Sequence, residues 1–230
     1  MRVLTYNVRG LRDDTAALVR VVRAADPDVV CLQEAPRRLR WRSRIAALAR
    51  ACDLVYVAGG GTTGGPALLA HLRVGVDHVQ EHRLTKTRGL DRRGVAVARV
   101  RGAGSVEGAD LDIVSFHLGL DAAERLSHAG EILALLAARP PRRLALGGDL
   151  NEVPGGPAWT RLAADGLTDP DSLGEVTFST RNPRWRIDAV LVSGSLDVVR
   201  AGVPVNLVDP ADVIAASDHR PVLAVLQLPG

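Results

Sequence analysis

The chain has 230 residues, 47% hydrophobic and 24% charged, and its 29 basic and 26 acidic residues give a net charge of +3. This composition excludes a disordered tail, a collagen-like fibre and a coiled coil, and no apolar run approaches the ~18 residues of a membrane-spanning helix. Two cysteines cannot make a disulfide framework, and a chain of this length buries a core without one. Strand and helix patterns then alternate. Residues 2–8 (RVLTYNV) read as a strand, and 14–25 as a helix with Ala17, Leu18, Val21 and Val22 at helical spacing, stopped by Asp26-Pro27. A short apolar strand follows at 28–33. Next comes a basic helix at 37–51, with Leu39, Ile45, Leu48 and Ala49 expected inside. Strands are expected at 53–58, 66–72, 74–84, 94–101 and 110–117. The helix at 121–138 opens on the capping pair Asp121 and Glu124, turns Leu126, Ala129, Leu133 and Leu136 inward, and stops at Arg139-Pro140-Pro141. A buried strand at 142–150, a short helix at 157–165, strands at 185–193 and 196–200 and a final strand at 221–228 complete the chain. No repeat or long linker interrupts it, so residues 1–230 are expected to form a single domain.

Some features read as structural. The stretch GGGTTGG at 59–65 lacks the Gly-Lys-Ser/Thr ending of a phosphate loop, so a flexible surface loop is expected. Cys31, in the apolar run VVCLQ, reads as a buried free thiol. His71, His78 and His82 read as surface residues and His128 as structural. The N-terminal MRVLTYNVRG has no apolar signal-peptide core, so a cytoplasmic location is expected.

Chemistry concentrates at strand ends. Asn7 closes the first strand, Glu34 follows DVVCLQ, and His117 closes LDIVSFH. Asp149 and Asn151 follow RRLALGG, Asp188 sits in WRIDAVLV, and Asp218 and His219 precede PVLAVLQL. Strand ends converge in α/β folds, and sites are built there. Any one of these residues alone reads as a turn, a cap or a solvated loop; the repeated context gives the set its meaning. Carboxylates Glu34, Asp149 and Asp218 with the amides Asn7 and Asn151 suit Mg²⁺ or Mn²⁺, and no clustered Cys/His set suggests zinc. Asp188 is placed to orient an imidazole and stabilise its cation. Metal, carboxylates and two histidines fit hydrolysis of a phosphate ester better than acyl transfer, since no G-x-S-x-G or cysteine nucleophile occurs.

The segments TYNVRG (5–10), CLQE (31–34), SFHL (115–118), GGDLNEVP (147–154), RIDAV (186–190) and SDHRP (217–221) resemble, in this order, those of the endonuclease/exonuclease/phosphatase superfamily, with its deoxyribonuclease-I-like fold. The resemblance implies a four-layer α/β/β/α sandwich, two mostly antiparallel sheets face to face with helices outside. It implies a divalent ion held chiefly by Glu34, with Asn7 and Asp218 nearby. Asp149 would orient or deprotonate the attacking water, and Asn151 would position that water or the phosphate. His219, paired with Asp188, would contact the scissile phosphate, and His117 would stabilise developing charge. The strand at 65–72 departs from the family pattern, with Ala70 and His71 where Ser and Arg are usual, so no catalytic contact is expected there.

These readings predict a Mg²⁺- or Mn²⁺-dependent phosphodiester hydrolase, a nuclease acting on DNA or RNA. The alternatives are a phosphomonoesterase or small-molecule or lipid phosphodiesterase on the same scaffold, and a nucleic-acid-binding module without catalysis. The runs after Asn151 and before Asp188 lack the aromatic-Arg and Trp-Cys-Asp-Arg segments of inositol-phosphate phosphatases. The basic run RRLRWRSR (37–44) reads equally as a solvated helix face and as a phosphate-contacting helix with Trp41 available for stacking. Arg181 and Arg184 are expected to line the cleft, with Trp185 in the core. A monomer without stable membrane association is expected.

Overall fold

A computed structural model describes residues 1–102, 106, 108–138, 143–171 and 174–228. In chain order the elements are β1 (Arg2–Asn7), α1 (Thr15–Ala25), β2 (Val29–Gln33), α2 (Trp41–Ala51), β3 (Leu54–Gly59) and β4 (Ala67–His71). There follow β5 (Val74–Arg83), β6 (Gly94–Gly102), β7 (Leu111–His117), α3 (Ala122–Ala137), β8 (Arg143–Asp149) and α4 (Pro157–Ala163). The last are β9 (Leu167–Thr168), β10 (Asp188–Ser193), β11 (Asp197–Gly202), α5 (Pro210–Ala216) and β12 (Val222–Gln227).

The strands form two six-stranded sheets, ordered β11-β12-β1-β2-β4-β3 and β5-β6-β7-β8-β10-β9. Each has one parallel pair at its centre, β1–β2 in the first and β7–β8 in the second; the remaining pairs are antiparallel. Val3, Val29, Cys31, Leu68, Ala96, Ile113, Ala145 and Val222 pack between the sheets. Leu18, Val21 and Val22 of α1 and Ile45 and Leu48 of α2 cover the outer face of the first sheet, with Val213 of α5. Ile132, Leu133 and Leu136 of α3 and Trp159 and Leu162 of α4 cover the second. This is the expected four-layer sandwich.

Its topology positions the site. Strands in a parallel pair end at the same edge, so Asn7 lies beside Gln33, and His117 beside Asp149. The antiparallel neighbours begin where those strands end: Asp188 opens β10 opposite Asp149, and residues 218–219 lead into β12 beside β1. The sheets are drawn together below this edge by Gly147, where an added Cβ would sit 2.8 Å from Cys31 Sγ and 3.0 Å from Thr5 Cβ. Gln33 Nε2 donates to Gly147 O at 3.4 Å, and Ser115 Oγ to Leu32 O at 2.9 Å, tying sheet to sheet.

Several expectations need correction. The helix expected at 37–51 starts only at Trp41, with Arg40 at φ 60°, and Leu39 is 89% exposed. Its arginines give the segment no apolar stripe to extend the helix. On α3, Leu126 is 43% exposed, while Glu124, His128 and Ile132 face inward with Ala129, Leu133 and Leu136. His128 earns its inward position through Nε2, 2.8 Å from Thr85 O. The expected stop at Arg139-Pro140-Pro141 lies outside the described residues. The glycine-rich segment is packed rather than on the surface: Thr63 is buried and its hydroxyl donates to Gly60 O and Pro66 O. Trp185 is 55% exposed instead of core, and the strand expected from 185 starts at Asp188. Cys31 is buried and free, as expected.

Candidate active site

Asn7 is the hub. Its Nδ2 donates to Asp149 Oδ2 at 2.9 Å and to Glu34 Oε1 at 3.5 Å, and it lies 3.4 Å from His219 Nε2. Carboxylates from opposite sheets therefore lie around one amide nitrogen. Asn7 Oδ1 accepts from Arg9 N at 3.0 Å, and Ser217 Oγ donates to Asn7 O at 2.7 Å, so the end of β1 is held on both sides. Glu34 has φ 50° at the end of β2, a turn that leaves its side chain half-exposed at the mouth.

Beside this hub, His219 Nδ1 faces both oxygens of Asp188, at 2.9 and 3.1 Å. Its Nε2 lies 3.8 Å from Asp149 Oδ2, and the Phe178 ring packs against the imidazole with centroids 4.8 Å apart. Thr177 Oγ1 accepts from the backbone N–H of Asp188 at 3.2 Å and steadies the acid. Burial opposes the charged imidazole, but the charge and hydrogen bond of Asp188, with Asp149 and Asp218, outweigh it and raise the His219 pKa to about 10. Burial first, then the Asp188 charge, raises Asp149 to about 7, against the opposing pull of His219, Asn7 and the Asn151 backbone. The pair thus joins an imidazolium to a carboxyl that titrates near neutrality, the arrangement expected where proton transfer is required.

On the far side of Asp149, His117 Nε2 lies 3.4 Å away. Asn151 Nδ2 donates to Leu118 O at 2.9 Å, which fixes the amide, and faces His117 Nε2 at 3.0 Å. Nε2 is then the acceptor, and the ring proton sits on Nδ1, a buried atom without a hydrogen-bond partner. Burial, then the charges of Arg93, His219 and Arg37, push His117 well below the ordinary histidine range, so it is neutral. Asn151 has φ 51°, and its N–H donates to Asp149 Oδ1 at 2.9 Å, closing the turn that aims the acid inward.

The fold thus brings together Asn7, Glu34, His117, Asp149, Asn151, Asp188 and His219. Asp218 is turned differently: Oδ2 pairs with Arg9 Nε at 3.2 Å and lines a hollow of about 180 Å³ with Arg181. Arg184 is exposed, its guanidinium 3.3 Å from the Asn182 side chain when that amide oxygen faces it. A groove of about 340 Å³ beside Glu34 is lined by Arg12, Arg37, Arg38 and Arg44. The basic run therefore faces the site from the loop before α2 and its first turn. Trp41 is committed elsewhere, packed edge-on to Tyr56 and over Gly60 and Gly61, where an added Cβ would meet it at 2.6–2.7 Å. That packing leaves Trp41 unavailable for stacking a base.

Sequence reasoning missed Phe178, Thr177 and Arg93. Arg93 is half-buried, its Nε has no hydrogen-bond partner, and its charge acts on both Asp149 and His117. A lone arginine ahead of a strand carries no sequence signal that separates it from a surface residue.

The donor set fits a hard divalent cation. Asp149, Asp188 and His219 place polar atoms within 4.8 Å of one another, all three buried, and with His219 held as the imidazolium the carboxylate oxygens are the ones open to an ion. Glu34 adds a half-exposed carboxylate beside the Asn7 amide. A buried acid whose proton affinity is raised by burial and by the neighbouring Asp188 charge is a place where positive charge is favoured.

The model of the endonuclease/exonuclease/phosphatase family matches residues 4–219. Among solved structures, a mannosyl-6-phosphatase of Bacteroides thetaiotaomicron superposes with a TM-score of 0.79 at 19% identity, covering 99% of each chain. A functionally unknown conserved protein of Enterococcus faecalis gives 0.78 at 20%, covering 99% of this chain and 100% of that one. TDP2 of D. rerio, complexed with single strand DNA product, gives 0.75 at 16%, covering 99% of this chain and 98% of that one. At these identities the likeness is one of fold. No curated protein sequence matches the chain. The family match spans all six polar strand ends gathered at the edge of the sandwich, and the chain belongs to the endonuclease/exonuclease/phosphatase family, whose members are hydrolases of phosphate esters.

Proposed function

We propose that the protein is a divalent-metal-dependent phosphodiester hydrolase, a nuclease acting on DNA or RNA. The observation that carries this reading is the Asn7 amide with Asp149 and Glu34 on one nitrogen and the His219–Asp188 pair alongside. Glu34, Asn7 and Asp218 would hold Mg²⁺ or Mn²⁺, Asp218 by exchanging its Arg9 partner. When bound, the ion neutralises a non-bridging phosphate oxygen and stabilises the leaving oxyanion.

The chain's own residues supply the rest. Asp149, with its pKa near 7, accepts a proton from the attacking water. Asn151 positions that water through its amide. His219, kept protonated by Asp188, donates hydrogen bonds to the phosphate as charge grows on it. Neutral His117 presents Nε2 as a hydrogen-bond acceptor on the far side of Asp149. The groove with Arg12, Arg37, Arg38 and Arg44 receives the flanking polyanion, for which arginine forks suit phosphate oxygens. Arg181, beside Asp218, and the exposed Arg184 would add further cationic contacts for the substrate.

Among the described residues no helix is long and apolar enough to cross a membrane. A phosphate monoester is the second reading, favoured by the fold shared with a mannosyl-6-phosphatase. Purified protein incubated with Mg²⁺ and plasmid, single-stranded DNA and RNA should cleave at least one, and EDTA should abolish cleavage. Turnover of p-nitrophenyl phosphate without cleavage of any polymer or of bis-p-nitrophenyl phosphate would replace the first reading by the second.

A further inference from the structure

The packed glycine-rich loop at 60–65 and the β5–β6 hairpin enclose a second hollow of about 210 Å³. Its lining carries four cations, Arg83, Lys86, Arg92 and Arg93, and no acid. None of the four forms an ion pair among the described residues. Four like charges around one hollow repel each other unless an anion enters.

The hollow also holds two orphaned polar atoms. Arg93 Nε and Thr62 Oγ1 are buried and have no hydrogen-bond partner. Unpaired buried donors are rare and cost about 1–3 kcal/mol each. Their presence in one cationic hollow marks an acceptor site. The Arg83 Nε donates to Thr62 O at 3.1 Å, so the hairpin and the loop are locked around it. The volume lies below the ~300–1,000 Å³ of drug-sized pockets, which suits a compact anion.

The hollow borders the candidate active site. The Arg93 charge acts on Asp149 and His117. Gly64, in the wall of the hollow, accepts from Arg37 Nη1 at 3.3 Å, and Arg37 also lines the groove beside Glu34. Resting on the hydrolase reading above, we propose that this hollow binds a second, non-scissile phosphate group of the substrate. Arg93 and Thr62 sit at its base, with Arg83, Lys86 and Arg92 at its rim. The preferred substrate class is then one with at least two phosphates, either a terminal phosphate monoester or the next diester of a polynucleotide.

Two measurements test this. In the first, metal-free protein is titrated with inorganic phosphate while the backbone amide signals of Thr62, Thr63 and Gly64 are followed by NMR. They should shift saturably, and Lys86→Ala and Arg92→Ala should each weaken binding about tenfold, the worth of ~1.4 kcal/mol. In the second, thymidine 5′-(p-nitrophenyl phosphate) is compared with the same ester bearing a 3′-phosphate, and with one extended by a 3′-linked nucleotide. The added phosphate should raise kcat/KM at least tenfold. Lys86→Ala should erase that gain while leaving turnover of the simple ester unchanged. A gain with the 3′-phosphate alone assigns the site to a terminal monoester; a gain with the extended ester assigns it to an internal diester. Amides that do not respond, or an added phosphate that gives no gain, overturn the proposal. Responding amides with no turnover of any ester would instead sink the hydrolase reading, leaving an anion site without a reaction.

Discussion

Replacing Asp188 by Asn removes one charge from the pair with His219 and leaves a hydrogen-bond acceptor in its place. Two unit charges about 3 Å apart interact by roughly 5 kcal/mol at an effective dielectric of ~20, and one pKa unit is worth about 1.36 kcal/mol. His219 Nδ1 lies 2.9 Å from Asp188 Oδ2, so the variant should lower the His219 pKa from about 10 by some 2–4 units. Burial, the largest single influence on His219 and one that lowers its pKa, is then opposed by the amide acceptor and the weaker charges of Asp149 and Asp218. Asp188 is also the second-largest cause raising Asp149, so Asp149 should titrate below about 7 in the same variant. Both movements are toward acid. The assay is NMR titration of the His219 ring and the Asp149 carboxyl in metal-free protein, followed by a pH–rate profile with Mg²⁺, whose upper limb should move with His219. A His219 midpoint displaced by less than one unit, or an upper limb that stays in place, would refute the idea that Asp188 maintains the imidazolium.

Three further outcomes are expected. Glu34→Ala should raise the Mg²⁺ concentration for half-maximal activity at least tenfold, by loss of a direct carboxylate ligand; an unchanged titration places the ion elsewhere. Gly147→Ala should lower the melting temperature by about 3–10 °C, since its Cβ would press on Cys31 and Thr5 at 2.8–3.0 Å and overpacking costs ~1–3 kcal/mol; an unchanged melt would show that the sheets separate freely there. In metal-free protein, stability should decline as pH rises from 6.5 to 9; below 6.5 the lowered pKa of His117 acts in the opposite sense and adds stability as pH rises. The folded state holds a proton on Asp149 between 3.8 and about 7 that the unfolded chain has lost, and His219 contributes stability that is full below 6.5 and lost toward about 10. Thermal melts that rise over this range would contradict both shifts.

The site was legible because each of its residues closes or opens a strongly patterned strand. Asn7, Glu34, His117 and Asp149 end segments of Val, Leu and Ile that no helix pattern explains, and the parallel pairs then bring those ends to one edge. What escaped is tertiary. Arg93 gains its meaning only when the loop at 60–65 folds over it. Trp41 reads as a base-stacking residue until Gly60 and Gly61 turn out to be its partners. Leu126 and Ile132 belong to a helix with more apolar positions than its buried face can hold, so spacing alone does not choose the face. The two-residue β9 and the seven-residue α5 are too short to show a period.

The central claim is that the gathered strand ends hydrolyse phosphate esters with Asp149 as the base. Its most direct test is the single-turnover hydrolysis of bis-p-nitrophenyl phosphate with Mg²⁺ by the wild-type protein, Asp149→Ala and His219→Ala, each verified as folded by circular dichroism. The account predicts release of p-nitrophenol by the wild type and a loss of at least ~10²-fold in the single-turnover rate for each variant. A folded Asp149→Ala protein that turns over at the wild-type rate would contradict it.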